Sequence, residues 1–175
     1  MPYPLWNYYP RNVRPPAWVN GLVATVAEMS GTISTVDQRT GLSSDDVLRE
    51  LAPGLTSRGY VVESGKSKAA KIFRPVLFGD NGMPEVSYEI DAFHDDLGIA
   101  VEVEAGRGAA NNADYRDIVR TSLILDANYL ALLMPITYRS TTSVPAFSRA
   151  RQQLEAIYAS NRLKLPFSGV LLVGY

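Results

Sequence analysis

Apolar residues recur along this chain in two periods. Between Ile99 and Ala105 they alternate strictly. Val101, Val103 and Ala105 fall on one side of an extended chain, and Ala100, Glu102 and Glu104 on the other, because successive strand side chains point to opposite faces. From Val86 to Phe93, the same period groups Glu89, Asp91 and Phe93 on one face and Tyr88, Ile90 and Ala92 on the other. Asp95, Asp96 and Gly98 lie between the two runs and supply turn chemistry. The pattern predicts an antiparallel hairpin. Two further runs, from Tyr129 to Ile136 and from Phe167 to Tyr175, are apolar almost throughout and read as buried strands. The first of them would lie parallel to its predecessor through a crossover.

Elsewhere the period is helical. Trp18, Leu22, Val23 and Val26 predict a helix from Pro16 to Met29, with proline near its first position and Gly31 ending it. Val47, Leu48, Leu51 and Leu55 form the stripe of a second helix, capped by Ser43 or Ser44, with Asp45 and Asp46 at the positive end of its dipole. Pro53 inside that stripe predicts a kink or a split. A third helix, 113–127, has Asn111 or Asn112 as its cap and Tyr115, Ile118, Val119, Ser122 and Leu123 as its inner stripe. A fourth begins near Pro145 and buries Phe147, Ala150, Leu154, Ile157 and Tyr158, after a polar loop from Thr137 to Ser143. A strand starts at Gly59, and another runs from Ile72 to Phe78, at an edge because of Pro75. Prolines at 2, 4, 10, 15 and 16 argue against regular structure at the start of the chain. Residues 1–16 therefore read as an extended arm, its aromatics packed on the body or a partner subunit, or stacked on bases. Residues 17–175 read as a single domain.

Composition narrows the chemistry. The absence of cysteine removes disulfides, thiolate zinc sites and a cysteine nucleophile, and a lone histidine, His94, removes a multi-histidine metal site within one chain. No run approaches the ~18 apolar residues of a membrane span. The first residues lack the basic-then-apolar order of a signal peptide, and the expected compartment is the cytoplasm. The net charge of −1 is unevenly spread. Between Pro75 and Val103 there is no Lys or Arg, whereas Lys66, Lys68, Lys71 and Arg74 precede that stretch and Arg107, Arg116 and Arg120 follow it. An acidic centre between basic segments suits a metal-dependent enzyme acting on a polyanion; a mixed surface charge gives the same count.

Glutamate is depleted in strands, and like charges on one face repel. Glu102 and Glu104 inside an apolar strand therefore need a cause: either a wet face or a bound divalent cation. Folding the hairpin brings Asp91 beside Glu102. That set suits a hard ion with oxygen ligands, Mg²⁺ first, with Mn²⁺ as its substitute. Glu50 reads as a surface residue or as a carboxylate reaching the same ion. Lys66 and Lys68 read as loop lysines or phosphate contacts. Arg116 and Arg120 read as a ladder with Asp117 or, again, as phosphate contacts. His94 reads as a base or as an exposed turn residue.

The order helix, strands, acidic hairpin, helix, strand, helix, strand, with E-V-E-A-G leading into a helix that carries Tyr-Arg-Asp, resembles the PD-(D/E)XK nuclease superfamily. The resemblance spans roughly Ser43 to Tyr138. V-E-V-E-A-G-R-G and N-N-A-D-Y-R-D-I look most like the Bam/Bgl-type branch of type II restriction endonucleases, which lacks the motif lysine. It implies an α/β, restriction-endonuclease-like fold, a central mixed β-sheet flanked by helices. It also implies Mg²⁺-dependent hydrolysis of DNA phosphodiester bonds by an endonuclease. Asp91 matches the first acidic position and Glu102 the second. Glu104 stands where most members have lysine, and Ile90 replaces the proline of the motif's name. Asp91, Glu102 and the carbonyl of Val103 would bind the ion. Glu104 would orient the attacking water or help hold a second ion, and a second ion or Arg107 would take the missing lysine's part. An upstream glutamate of some members corresponds to Glu50 or Glu63. Lys66, Lys68, Arg107, Asn111, Asn112 and Arg116 become candidate DNA contacts, and cutting a duplex implies a homodimer. Loss of the lysine also marks members without activity, so the alternative is an inactive nuclease-fold module for binding or structure.

Overall fold

The computed structural model describes residues 3–36, 41–105, 113–139, 143–160 and 162–175. In chain order the elements are β1 (Leu5–Tyr9), α1 (Ala17–Glu28), the short α2 (Ser30–Ile33), α3 (Ser44–Thr56), β2 (Val61–Val62), β3 (Ile72–Phe78), β4 (Pro84–Ile90), β5 (Ala92–His94) and β6 (Ile99–Val103). There follow α4 (Ala113–Ser122), β7 (Tyr129–Met134), β8 (Tyr138–Arg139), β9 (Ser143–Val144), α5 (Ala146–Ser160) and β10 (Gly169–Gly174). Among the described residues, six strands form the central sheet in the order β1-β10-β7-β6-β5-β2. β6, β7 and β10 run parallel, while β1, β5 and β2 pair antiparallel with their neighbours. The sheet is mixed, with helices on both faces.

The period-2 pattern explains this layering. Val101, Val103, Ala131, Leu133, Leu171 and Val173 point into a core closed by Val19, Leu22 and Val26 of α1 and Val47, Leu51 and Leu55 of α3. Their alternates, Ala100, Leu130, Leu132, Val170 and Leu172, point into a second core closed by Ile118 of α4 and Phe147, Ala150 and Leu154 of α5. Strands covered on both faces read as continuous apolar runs. α3 opens with the predicted cap: the Ser43 hydroxyl accepts from the Asp46 N–H at 3.2 Å, and Asp46 accepts from the Ser43 N–H.

Several expectations are corrected. Leu5–Tyr9 is a strand of the sheet, paired with β10, with Tyr8 and Tyr9 buried. Pro4 and Pro10 flank this strand rather than interrupt it. α3 passes through Pro53 unbroken to Thr56. The predicted strand from Val86 to Phe93 divides at Asp91: β4 pairs with β3 in a separate ribbon, and β5 joins the main sheet. The loop from Thr137 to Ser143 includes residues of the small β8–β9 pair. α4 is turned relative to its predicted stripe. Asp114, Asp117, Ile118 and Thr121 are buried, whereas Tyr115, Val119 and Leu123 are 41%, 57% and 50% exposed. Arg116 reaches from this helix to Glu104 as well as to its neighbour Asp117.

Candidate active site

β6 is an interior strand of the sheet, and its register with β5 pairs Ala92 with Val101. One residue further on, Asp91 and Glu102 come side by side, where β4 leaves the ribbon for the sheet. Two backbone contacts fix Asp91: its Oδ2 accepts the Val103 N–H at 2.7 Å, and its carbonyl accepts the Glu63 N–H at 2.8 Å. Glu104 follows the strand. Its N–H donates to the Leu133 carbonyl at 2.9 Å, and its own carbonyl accepts the Tyr175 hydroxyl at 2.7 Å. Its carboxylate accepts from Arg116 at 2.9 Å, and Arg116 also donates to Asp117 Oδ1 at 3.2 Å.

These groups line one cavity of about 150 Å³. Asp91, Glu102, Glu104 and Asp117 share it with Glu63 and Glu89, and Lys71, Arg116 and Arg120 supply the positive charge. Lys71 Nζ lies 2.6 Å from Glu63 Oε1 and 3.5 Å from Glu89 Oε1, and Arg120 donates to the Glu89 carbonyl at 3.3 Å. Burial, assisted by the charges of Glu63 and Asp117, pushes Asp91 up to about 6 against the pull of the Val103 N–H. Burial and the neighbouring Asp91 and Asp117 charges hold Glu102 well above the usual carboxylate range. Burial and Asp117 push Glu104 up to about 8, opposed by Arg116. The same ion pairs raise Arg116 despite its burial, and Glu63 raises Lys71.

Crowded carboxylates with raised proton affinity are the donor set that a hard divalent cation relieves. Asp117 adds an observation of its own. It is 1% exposed, and its Oδ2 has no hydrogen-bond partner, a costly state for a buried acceptor. The donors thus suit Mg²⁺ or Mn²⁺ in kind. Among the described residues no three acidic or imidazole side chains stand together as a ready ligand set, so Asp91 and Glu102 would need the Val103 carbonyl and water to complete the shell.

The structure brings Asp91, Glu102, Val103, Glu104, Arg116 and Glu63 to one cavity, and leaves Glu50, Lys66 and Lys68 off it. Glu50 sits on α3 away from that cavity. Lys66 is directed to Asp45 at 3.3 Å with its side chain 87% exposed, and Lys68 lies in an exposed single turn. Arg107, Asn111 and Asn112 lie outside the described residues. His94 is not an exposed turn residue: it ends β5, packs edge-on to Tyr60 at 5.1 Å and lies off the cavity. Reading by pattern missed Lys71, Glu89 and Asp117 as members of the cavity. Asp114, Asp117 and Thr121 do share one helical face, a polar stripe that could have revealed the helix's true inner side.

No family model matches this chain, and no curated protein matches it. Among solved structures, it is similar to the restriction endonuclease BglII complexed with a DNA 16-mer, with a TM-score of 0.55 and 15% sequence identity over 98% of this chain and 75% of that one. The fold is restriction-endonuclease-like.

Proposed function

We propose that the protein is a metal-dependent nuclease that hydrolyses DNA phosphodiester bonds. The observation that carries this reading is the cavity: sheet-borne Asp91, Glu102 and Glu104 meet helix-borne Asp117 inside a ring of cations, in a fold like that of an endonuclease solved on DNA. Asp91, Glu102 and the Val103 carbonyl would hold Mg²⁺, with Mn²⁺ as substitute. When bound, the ion supplies an acidified water and charge neutralisation at the scissile phosphate. Glu104, steadied by Arg116, orients the attacking water. Arg116 and Arg120 neutralise the approaching backbone. A duplex has two strands to cut, so two copies would act together.

One observation favours the inactive module instead. The position where a lysine would stand carries Glu104, already tied to Arg116. Calorimetric titration of Mn²⁺ and Mg²⁺ into wild type and Glu102→Gln, with plasmid nicking on the same samples, separates the readings. Binding with cleavage is expected in wild type, the cleavage falling by on the order of 10²-fold or more in the variant. Binding without cleavage would leave the inactive module. Absence of binding would leave a solvated acidic face.

A further inference from the structure

Position 104, just after β6, carries no lysine, but one lines the same cavity. β3 and β4 pair Ile72 with Ile90, so the ribbon's root carries Lys71 alongside Asp91. Its side chain is 21% exposed and its ammonium lies 2.6 Å from the Glu63 carboxylate, itself 7% exposed, and 3.5 Å from that of Glu89. The ammonium thus lies between two carboxylates from different segments, on the wall of the cavity that holds Asp91 and Glu102. An ammonium has three protons. One is used in the short bond and one faces Glu89, leaving the third without a partner among the described residues. The two arginines are differently committed. Arg116 is divided between Glu104 and Asp117. Arg120 donates to a backbone carbonyl and leans over the Tyr88 ring at 5.6 Å.

We propose that Lys71 is the group that contacts a non-bridging oxygen of the phosphate in this cavity, doing from the ribbon what the residue at position 104 cannot. This rests on the nuclease reading. Lysine acts on phosphate as a compact point charge, so it can serve from another strand provided that its ammonium reaches the same place. Glu63 is then a positioning residue, its carboxylate occupied by Lys71 rather than free for an ion. Two carboxylates against one ammonium leave this trio with net negative charge. A phosphate oxygen would draw Lys71 away from the longer Glu89 contact while the short bond to Glu63 keeps its place.

The test compares wild type, Lys71→Gln and Lys71→Arg. Binding of a short DNA duplex is followed by fluorescence anisotropy across a salt series in chelator, and plasmid cleavage by single-turnover kinetics in Mn²⁺. Circular dichroism and Mn²⁺ titration of each variant act as controls. Lys71→Gln should lower the salt slope by about one phosphate contact. It should slow cleavage by on the order of 10²–10³-fold, with Mn²⁺ binding retained. Lys71→Arg should restore the slope and part of the rate. An unchanged slope and rate in Lys71→Gln would overturn the proposal while leaving the nuclease reading intact. So would losses that follow melting and are not recovered by Lys71→Arg, which would make Lys71 a structural ion pair. A wild type that binds duplex through Lys71 but does not cleave it would remove the nuclease reading and keep the phosphate contact. A wild type that binds no DNA would remove both.

Discussion

Asp91, Glu102 and Glu104 line one buried cavity, so in the absence of a cation they compete for protons. Their raised proton affinity has a definite sign in stability. Asp91 is pushed to about 6 and Glu104 to about 8, from ordinary values near 4, so between those limits the folded chain holds more protons than the unfolded one. Stability therefore falls as pH rises through this window, with a slope of ~1.4 kcal/mol per pH unit for each extra proton held. The groups facing them do not reverse the sign: Glu63 and Asp117 add negative charge, and Arg116 only moderates it. Thermal melting of chelator-treated protein should show a higher midpoint at pH 5 than at pH 9, and Mg²⁺ should flatten the difference. A midpoint that rose with pH would contradict the crowding described. The three carboxylates were legible because a glutamate pair in an alternating apolar strand is a local anomaly. Lys71 was not, because nothing in its own neighbourhood states which strand its ribbon will lie beside.

Among the elements, α4 departs most from its expected pose. A helix usually turns its apolar stripe inward, yet this one buries Asp114, Asp117 and Thr121 and presents Tyr115 and Val119 outward, with Leu123 exposed just past its end. The site accounts for the inward polar face. A second copy seated on Tyr115 and Val119 would account for the rest. Burying such a side chain contributes about 1.5–3 kcal/mol. Val119→Glu should therefore weaken self-association by at least about tenfold and leave melting of the isolated chain unchanged, since Val119 is 57% exposed. Sedimentation equilibrium of both proteins checks this; a wild type that stays monomeric at high concentration would end the idea. Strands β6, β7 and β10 were readable because burial on one or both faces writes itself into apolar period. The division of β4 from β5 at Asp91 was not, because the bend reflects pairing with two different partners, which the local pattern does not record.

For the whole molecule, the order of elements after the acidic strand was enough to expect the Tyr129–Ile136 run parallel to its predecessor through a helical crossover, and β6 and β7 have that arrangement; β10, expected only as a buried strand, also runs parallel to β7. What sequence order did not show was that the chain's first strand closes the far edge beside β10, since that pairing joins segments far apart in sequence. The position of β6 also has a kinetic consequence. Its carboxylates belong to an interior strand bonded on both sides, whereas Lys71 comes from a two-stranded ribbon, and Arg116 and Arg120 from a helix with one face in solvent. Amide hydrogen exchange should reflect this difference. The N–H groups of Val101 and Val103 should exchange only through global opening, while those around Lys71 and along the outer face of α4 exchange through cheaper local openings. Equal protection in all three segments would deny it. Glu102 is thus carried on the slowest-opening part of the fold, and the three cations, with Glu89 and Asp117, on parts that can open while the rest stays closed.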